Sequence, residues 1–186
     1  MSELTWWYAP HPEWEPGENW PEEVLCVRLE TAAGTVLIDP LDPPEDVTPP
    51  VRVLLTAPWH VRDAALVVER HGATVWAPPR ARWHGPSLAT TDELPEGIEA
   101  LLPAGDDNQA LFFLREQRTL VTGDVFSGTG GRFHVFVDPD DVEVAPFLGW
   151  LPTLLDLPVE RVLIAHGEPV LEDGSARLRE AIRAAS

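Results

Sequence analysis

The sequence predicts an α/β protein in which a mixed β-sheet system is covered by helices. Strand-like segments come first in pairs and then alternate with helix-like segments, an order typical of sheets with helices outside them. The 186 residues are 44% hydrophobic and 24% charged, which fits one globular domain with a substantial core. We therefore expect residues 1–186 to form a single domain.

Apolar runs and the turn residues between them define the individual elements. Residues 23–38 contain two strands around a turn at Ala33–Gly34, and residues 51–55 form another strand. A helix is predicted for residues 63–71, ended by Gly72 and followed by a strand. The second half of the chain predicts, in order, a strand pair, a proline-limited helix, a buried strand and a closing helix.

The N-terminal segment, residues 1–22, contains four of the eight tryptophans among several prolines. It shows no helical period, so we expect an extended segment whose indoles pack onto the domain or flank it. Exposed indoles would also suit a pocket wall or a homodimer contact.

The charge balance argues against several classes of partner. Thirteen basic and 31 acidic residues give a net charge of −18, and such a surface repels nucleic-acid phosphates and anionic membranes. No apolar run approaches the roughly 20 residues that span a bilayer. We expect a small-molecule substrate or ligand and neither nucleic-acid nor membrane partners.

Cellular location is suggested by two further features. The N-terminus has no basic start and apolar core, so we expect no signal peptide. Cys26 is the single cysteine and lies in the apolar run VLCVRL, which predicts a buried, inert thiol. Both features favour the cytoplasm.

Four loops follow predicted strands and contain the polar residues of a candidate site: TAPWHVRD, GDD, GDVFSGTG and AHGEP. In this order the loops resemble those of the metallo-β-lactamase superfamily of hydrolases, from about Val24 to the C-terminus. TLVTGDVFSG is similar to the family's strand ending in Gly-Asp, whose aspartate bridges two metals, and this assigns Asp124. AHGEP resembles the family's Gly-His-Gly loop, which assigns His166 as a ligand, with Ala165 in place of the first glycine.

The resemblance also has implications for the fold. TVLIDP is similar to the family's early strand ending in aspartate, and a structural role would therefore fall to Asp39. Together the motifs imply the four-layer αββα sandwich of the metallo-β-lactamase type, with two mixed sheets between outer helices.

The family's main signature, His-x-His-x-Asp-His, is degenerate in this chain. Alignment on Thr56 places four other residues at the ligand positions, namely Ala57, Trp59, Val61 and Arg62. A shift by one residue places His60 and Asp63 at two of these positions but leaves Pro58 and Arg62 at the others. The third histidine of the family corresponds to Asp106.

This ligand set predicts one divalent metal ion at most. A dinuclear site needs about five or six nitrogen and oxygen ligands that converge on one cavity. The candidate metal ligands are His60, Asp106, Asp124 and His166, and the ion would be zinc, iron or manganese. Arg62 would oppose a second cation if it faced the cavity.

Each candidate also has an interpretation that needs no metal. His60 could hydrogen-bond its own loop, Asp63 could cap the following helix, and Asp106 could be a turn residue. Asp124 and His166 could bond the backbone at strand ends. We expect Trp59 to fill the cavity, and Arg62 and Asp63 to line it. The other histidines are interpreted as surface or loop residues: His11, His71, His84 and His134.

Three functions remain open at this point. The first is a metal-dependent hydrolase with a reduced site, in which Asp124 is catalytic and metal-activated water attacks an ester, lactone or thioester. The second is a metal-free pseudoenzyme or binding protein that keeps the fold and the cleft. The third is a homo-oligomeric structural protein that uses the Trp-rich residues 1–22 as an interface.

Overall fold

The first sheet contains five strands in sequence order. The computed structural model describes residues 2–83 and 88–185. The strands of this sheet are β1 (Glu3–Pro10), β2 (Glu23–Thr31), β3 (Gly34–Ile38), β4 (Val51–Leu54) and β5 (Thr74–Trp76). β1, β2 and β3 are antiparallel, whereas β3, β4 and β5 are parallel, so the sheet is mixed as predicted.

The second sheet is also mixed and has the order β11-β8-β7-β6. Its strands are β6 (Ile98–Leu101), β7 (Leu111–Leu114), β8 (Thr119–Val121) and β11 (Arg161–Leu163). β11 is parallel to β8, and the other pairs are antiparallel. Two short strands, β9 (Phe126–Ser127) and β10 (His134–Val135), form a separate antiparallel pair.

Helices cover the outer faces of both sheets. α1 (Ala64–His71) packs against β4 and β5, and α3 (Gly174–Ala185) packs against β10 and β11. α2 (Val144–Trp150) continues into a 3₁₀ helix, Leu151–Asp156, that also contacts α3. α1 ends at Gly72, whose φ of 62° suits glycine and whose N–H donates to the Val68 carbonyl at 2.9 Å. The predicted helix end is confirmed.

Alternation along the strands produces three apolar layers. In β7, Phe112 and Leu114 face the first sheet, whereas Leu111 and Phe113 pack with α2 and α3. A third cluster fills the space between the first sheet and α1. These layers separate four layers of secondary structure, and the αββα sandwich expected from the resemblance is confirmed.

Two backbone hydrogen bonds join the sheets at one end of the sandwich. The N–H of Leu25 in β2 donates to the carbonyl of Ala165, just after β11, at 3.0 Å. The N–H of Ala110, just before β7, donates to the carbonyl of Thr56, just after β4, at 2.8 Å. The N–H of Ala165 also donates to the carbonyl of Gly123, just after β8, at 3.2 Å, so the loops that follow β4, β8 and β11 lie at this end.

Residues 3–10 are more regular than the sequence indicated. They form the edge strand β1, paired along its whole length with β2. The Trp7 indole N–H donates to the Leu41 carbonyl at 2.8 Å, so this indole packs onto the domain as expected. Residues 11–22, called the 11–22 loop below, connect β1 to β2.

None of the helices among residues 2–83 and 88–185 is both long and apolar enough to cross a bilayer. His84, one of the histidines interpreted from sequence as a surface or loop residue, lies outside the described residues.

Candidate metal centre

The site lies where the ends of β3, β4, β8 and β11 come together. A close approach between two of these ends depends on Gly123, whose φ is 54°. A Cβ atom at this position would lie 2.5 Å from the Thr56 hydroxyl oxygen, so only glycine fits there. Gly123 thereby brings Asp124 next to the loop that follows Thr56.

His60 is held from behind by Asp39 and Thr56, all three of which are buried. Asp39 accepts hydrogen bonds from the Thr56 N–H, at 2.8 Å, and from the Thr56 hydroxyl. The His60 Nδ1 atom lies 2.8 Å from the Thr56 hydroxyl oxygen and 3.1 Å from Asp39 Oδ2. Because the Asp39 carboxylate only accepts, Nδ1 carries the proton, and Nε2 points the other way. The structural role expected for Asp39 is confirmed.

Three side chains converge on one point in front of His60. Its Nε2 atom lies 3.3 Å from Asp124 Oδ2, and His166 Nε2 lies 3.3 Å from Asp124 Oδ1. One ligand atom from each of the three residues falls within 4.8 Å of the others. Three of the four metal ligands predicted from sequence are thus brought together.

The pKa values of this cluster are strongly coupled. Burial alone would lower the pKa of His60, but the carboxylates of Asp124 and Asp39 raise it to about 9. Burial alone would raise the pKa of Asp124, but the charge of His60 and its contacts with both histidines hold the pKa well below its usual range. Without a metal, His60 is an imidazolium and Asp124 a carboxylate at neutral pH.

Trp59 also contacts the cluster. Its indole N–H donates to Asp124 Oδ2 at 2.8 Å, while 43% of the residue remains exposed. The same carboxylate oxygen lies near His60 Nε2, whereas Asp124 Oδ1 is buried with no hydrogen-bond partner among the described residues. Trp59 therefore contacts Oδ2, whereas Oδ1 faces His166 Nε2, which is 3.3 Å away.

Arg62 and Asp63 do not line the cavity, contrary to the prediction. The chain turns at Arg62, where φ is 39°, and the guanidinium Nη1 donates to the Asp39 carbonyl at 2.8 Å. Asp63 precedes α1, but its carboxylate makes no cap hydrogen bond and instead accepts the N–H of Asp42 at 2.7 Å. Both side chains point toward the loop after β3, since that loop supplies their partners.

Asp106 is not part of the cluster. Its Oδ1 atom accepts the Asn108 N–H at 2.9 Å, and its Oδ2 atom accepts the Gln109 side-chain N–H at 2.8 Å. Both carboxylate oxygens are therefore used inside its own loop, as in the turn interpretation. The predicted fourth ligand is absent from the group of converging ligand atoms among the described residues.

A cavity of about 300 Å³ opens above the cluster. Its described lining consists of His11, Glu13, Asn19, Trp20, Trp59, His60, Asp124, Ser127, Thr129, Phe136 and His166. The Trp20 and His166 rings are 5.0 Å apart, so the 11–22 loop forms one wall. Burial and the charge of Arg62 lower the pKa of His11, which leaves this imidazole neutral at pH 7.

The sequence did not predict most of the residues that form the outer wall of the cavity. His11 lines the cavity although the sequence indicates a surface or loop residue, and no motif points to Glu13, Asn19 or Phe136. The one available signal is the cluster of tryptophans in residues 1–22, which suggests a pocket wall as one of several roles. Ser127 and Thr129 belong to the GDVFSGTG loop, which the sequence predicted as part of the candidate site.

Solved structures with this architecture are numerous. A metallo-β-lactamase family protein from Thermus thermophilus aligns with a TM-score of 0.66 at 17% identity, over 97% of this chain and 77% of that one. A metallo-β-lactamase superfamily protein from Sulfolobus tokodaii aligns with a TM-score of 0.65 at 14% identity, over 96% of this chain and 85% of that one. The chain has the metallo-β-lactamase fold.

Another structural neighbour was solved in a di-iron-bound form. It aligns with a TM-score of 0.62 at 26% identity, over 80% of this chain and 90% of that one. No protein-family model and no curated protein matches the sequence.

The donor set at the cluster fits one divalent ion. Two imidazoles and one carboxylate that leave further positions open are typical ligands of a mononuclear iron site, and zinc accepts the same donors. Asp124 Oδ1 accepts no hydrogen bond from the described residues, which agrees with this fit. The Asp39 contact behind His60 agrees with it too, because metal-bound histidines usually donate their other N–H to a carboxylate.

Proposed function

We propose that this chain is a metal-dependent hydrolase of the metallo-β-lactamase superfamily with a single divalent ion, which hydrolyses an ester, lactone or thioester. The observation that supports it most is the convergence of His60 Nε2, Asp124 and His166 Nε2 at the floor of an open cavity. These residues would hold the ion. A bound ion would supply Lewis-acid polarisation of the substrate and a lower pKa for water.

The residues around the ligands prepare them for this role. Asp39 and Thr56 keep one His60 proton on Nδ1, so a metal ion would displace only the second proton, the one on Nε2, in order to bind there. Trp59 donates to Asp124 Oδ2 and so fixes the orientation of the carboxylate, with Oδ1 directed toward His166 Nε2. Preorganised ligands lose little conformational freedom when an ion binds.

Two residues argue against a second ion. In the family the aspartate bridges two metals, but here the Trp59 indole N–H already occupies Oδ2. Arg62 adds a fixed positive charge that acts on the site, since it opposes protonation of His60. We therefore propose one ion per chain, in contrast to the di-iron form of the neighbour.

A second candidate is a metal-free binding protein. It is favoured by the His60 pKa of about 9, because an imidazolium between Asp39 and Asp124 balances carboxylate charge without an ion. In this case the cavity would bind a small molecule and catalyse no hydrolysis.

Metal titration of chelator-stripped protein separates the two candidates. We expect one Zn²⁺, Fe²⁺ or Mn²⁺ per chain by isothermal titration calorimetry, and loss of this binding in His166→Ala. His71→Ala is the matched control, because His71 is in the last turn of α1, outside the cavity lining.

Hydrolysis should then be measured on a panel of ester, lactone and thioester substrates, with and without the bound ion. Activity that requires the ion supports the hydrolase. A stoichiometry of two would refute the single-ion site, and absence of any metal binding would favour the metal-free candidate.

A further inference from the structure

The outer part of the cavity is aromatic. Trp20, Trp59 and Phe136 line it, and they come from three separate segments of the chain. Trp59 and Phe136 are 43% and 44% exposed, which is high for large apolar side chains. Exposed aromatic surface at the mouth of a cavity is typical of a place where a ligand is bound.

Apart from the metal ligands at its floor, the described lining of the cavity contains one residue with a formal charge, and this charge is negative. Glu13 supplies it, and no described residue donates a hydrogen bond to its carboxylate or pairs with it as an ion. The described lining contains no arginine, and the sequence contains no lysine. An anionic group would therefore find no permanent cation at the mouth, whereas a cation would find a free carboxylate.

The wall that supplies Glu13 and Trp20 is held in place by its own hydrogen bonds. The His11 N–H donates to the Glu22 carbonyl at 2.8 Å and closes the 11–22 loop at its base. The Trp14 indole N–H donates to the Trp20 carbonyl at 2.9 Å, and the Trp20 ring rests on His166. A preorganised wall lowers the entropy that is lost when a ligand binds.

We propose that this mouth recognises a positively charged ammonium group, and that the substrates are esters or thioesters that carry such a group near the acyl carbon. Aromatic rings attract cations through their electron-rich faces, and the Glu13 carboxylate adds a direct ion pair. The substrate class rests on the hydrolase function proposed above, whereas recognition of the ammonium group does not.

The reaction needs no further co-reactant. The oxygen of water forms a bond to the acyl carbon, and the bond from that carbon to the leaving oxygen or sulfur breaks. One proton of water passes to the leaving group, so the products are an acid and an alcohol or thiol. The ammonium group is unchanged and can sit on either product.

Recognition can be tested on the full-length protein by tryptophan fluorescence titration. Choline is the cationic probe, and 3,3-dimethylbutan-1-ol is its uncharged isostere. We expect choline to bind on the order of tenfold more tightly than the alcohol, and high salt to reduce this difference. Equal binding of the two compounds, or tighter binding of the alcohol, would overturn the proposal.

Two variants locate the effect at the mouth. Glu13→Gln removes the charge and keeps the size, and Phe136→Leu keeps apolar area but removes the ring. Each should weaken choline binding several-fold with little effect on the alcohol. Glu15→Gln, an exposed residue of the same loop outside the lining, should change neither. Unchanged choline affinity in both mouth variants would contradict the assignment.

Substrate selectivity is compared through kcat/KM for acetylcholine and 3,3-dimethylbutyl acetate. A preference for acetylcholine on the order of tenfold supports the substrate class. Equal hydrolysis of both esters would refute the class but leave the hydrolase intact. Tight choline binding without hydrolysis of either ester, or of any member of the substrate panel, would refute the hydrolase and leave the ammonium site standing.

Discussion

Gly105–Asp106 and Gly123–Asp124 are two Gly-Asp pairs in which the glycine has a positive φ, of 80° and 54° respectively. Neither glycine tolerates a Cβ atom, which would meet the Glu143 carbonyl oxygen at 2.6 Å or the Thr56 hydroxyl at 2.5 Å. The backbone therefore places both aspartates by the same means. Their side chains have different surroundings.

Asp106 bonds to its own loop, whereas Asp124 faces side chains from other segments. Both oxygens of Asp106 accept from residues two and three positions later, and burial raises its pKa. Asp124 contacts His60, His166 and Trp59; burial raises its pKa, but the charge of His60 and the contacts with both histidines together lower the pKa well below its usual range. A carboxylate whose oxygens both accept hydrogen bonds from its own loop stabilises a turn. A carboxylate that faces side chains from other segments is available for metal binding or catalysis.

The largest expected effect comes from Asp124→Asn, which removes the charge and preserves the shape. If one ion is held at this site, hydrolysis should fall on the order of a thousandfold, and metal affinity should fall with it. The measurements are kcat/KM on the substrate panel and calorimetric metal titration. Full activity in this variant would mean that the two Gly-Asp pairs are functionally equivalent.

Alkaline pH should destabilise the metal-stripped protein through His60. The pKa of this imidazole rises from an ordinary value near 6.5 in the unfolded chain to about 9 in the folded chain. Its contribution to stability is therefore complete below pH 6.5 and is lost as pH rises toward and through 9. We expect the free energy of unfolding to fall by on the order of 1–3 kcal/mol over this interval.

Denaturant unfolding at several pH values measures this loss, with His60→Gln as the variant that should remove it. Bound metal should also suppress the loss, because coordination at Nε2 excludes the proton. An equal alkaline loss in His60→Gln would assign the effect to other groups.

Asp106→Asn should affect stability alone. The amide keeps one acceptor for the Asn108 N–H but places a donor against the Gln109 side chain, and we expect a loss of about 1–2 kcal/mol in the free energy of unfolding. Metal affinity and kcat/KM should match those of the wild type. Weaker metal binding in this folded variant would restore Asp106 to the ligand set.

The smallest effect is expected for Asp107→Asn, one residue away. Asp107 is exposed and lies 3.7 Å from the exposed Arg80, a type of ion pair that contributes little in water. The free energy of unfolding should change by less than about 0.5 kcal/mol in thermal unfolding, and metal binding should not change. A larger loss of stability would show that any substitution in this loop is destabilising, whether or not the side chain makes the hydrogen bonds that Asp106 makes.

The positions of Asp124 and His166 at the site end could be predicted because each follows a buried strand, and their role as ligands is what the resemblance implies. Apolar runs define the ends of β8 and β11, and the ends of parallel neighbours lie at the same edge of a sheet. His60 is harder to place from sequence, because no ungapped alignment of its loop restores the family signature. Its role depends on Asp39, which is 21 residues away and in contact only after folding.

The 11–22 loop and the Asp106 loop show what sequence could not provide. The 11–22 loop has no periodicity, and its position depends on the packing of Trp20 against His166. The acidic character of Asp106 is visible in the sequence, but the partners that satisfy both of its oxygens are not. A homodimer and a cytoplasmic location stay predictions.

The hydrogen bonds from Leu25 to Ala165 and from Ala110 to Thr56 tie the two sheets together beside the metal ligands. The sandwich cannot open at this end without separating His60 from Asp124 and His166. Amide protons of Leu25 and Ala110 should therefore exchange with solvent only when the site itself comes apart. We therefore expect the site to be lost in the same event that opens the core. The lifetime of the site at high temperature would then be set by the unfolding rate of the whole domain.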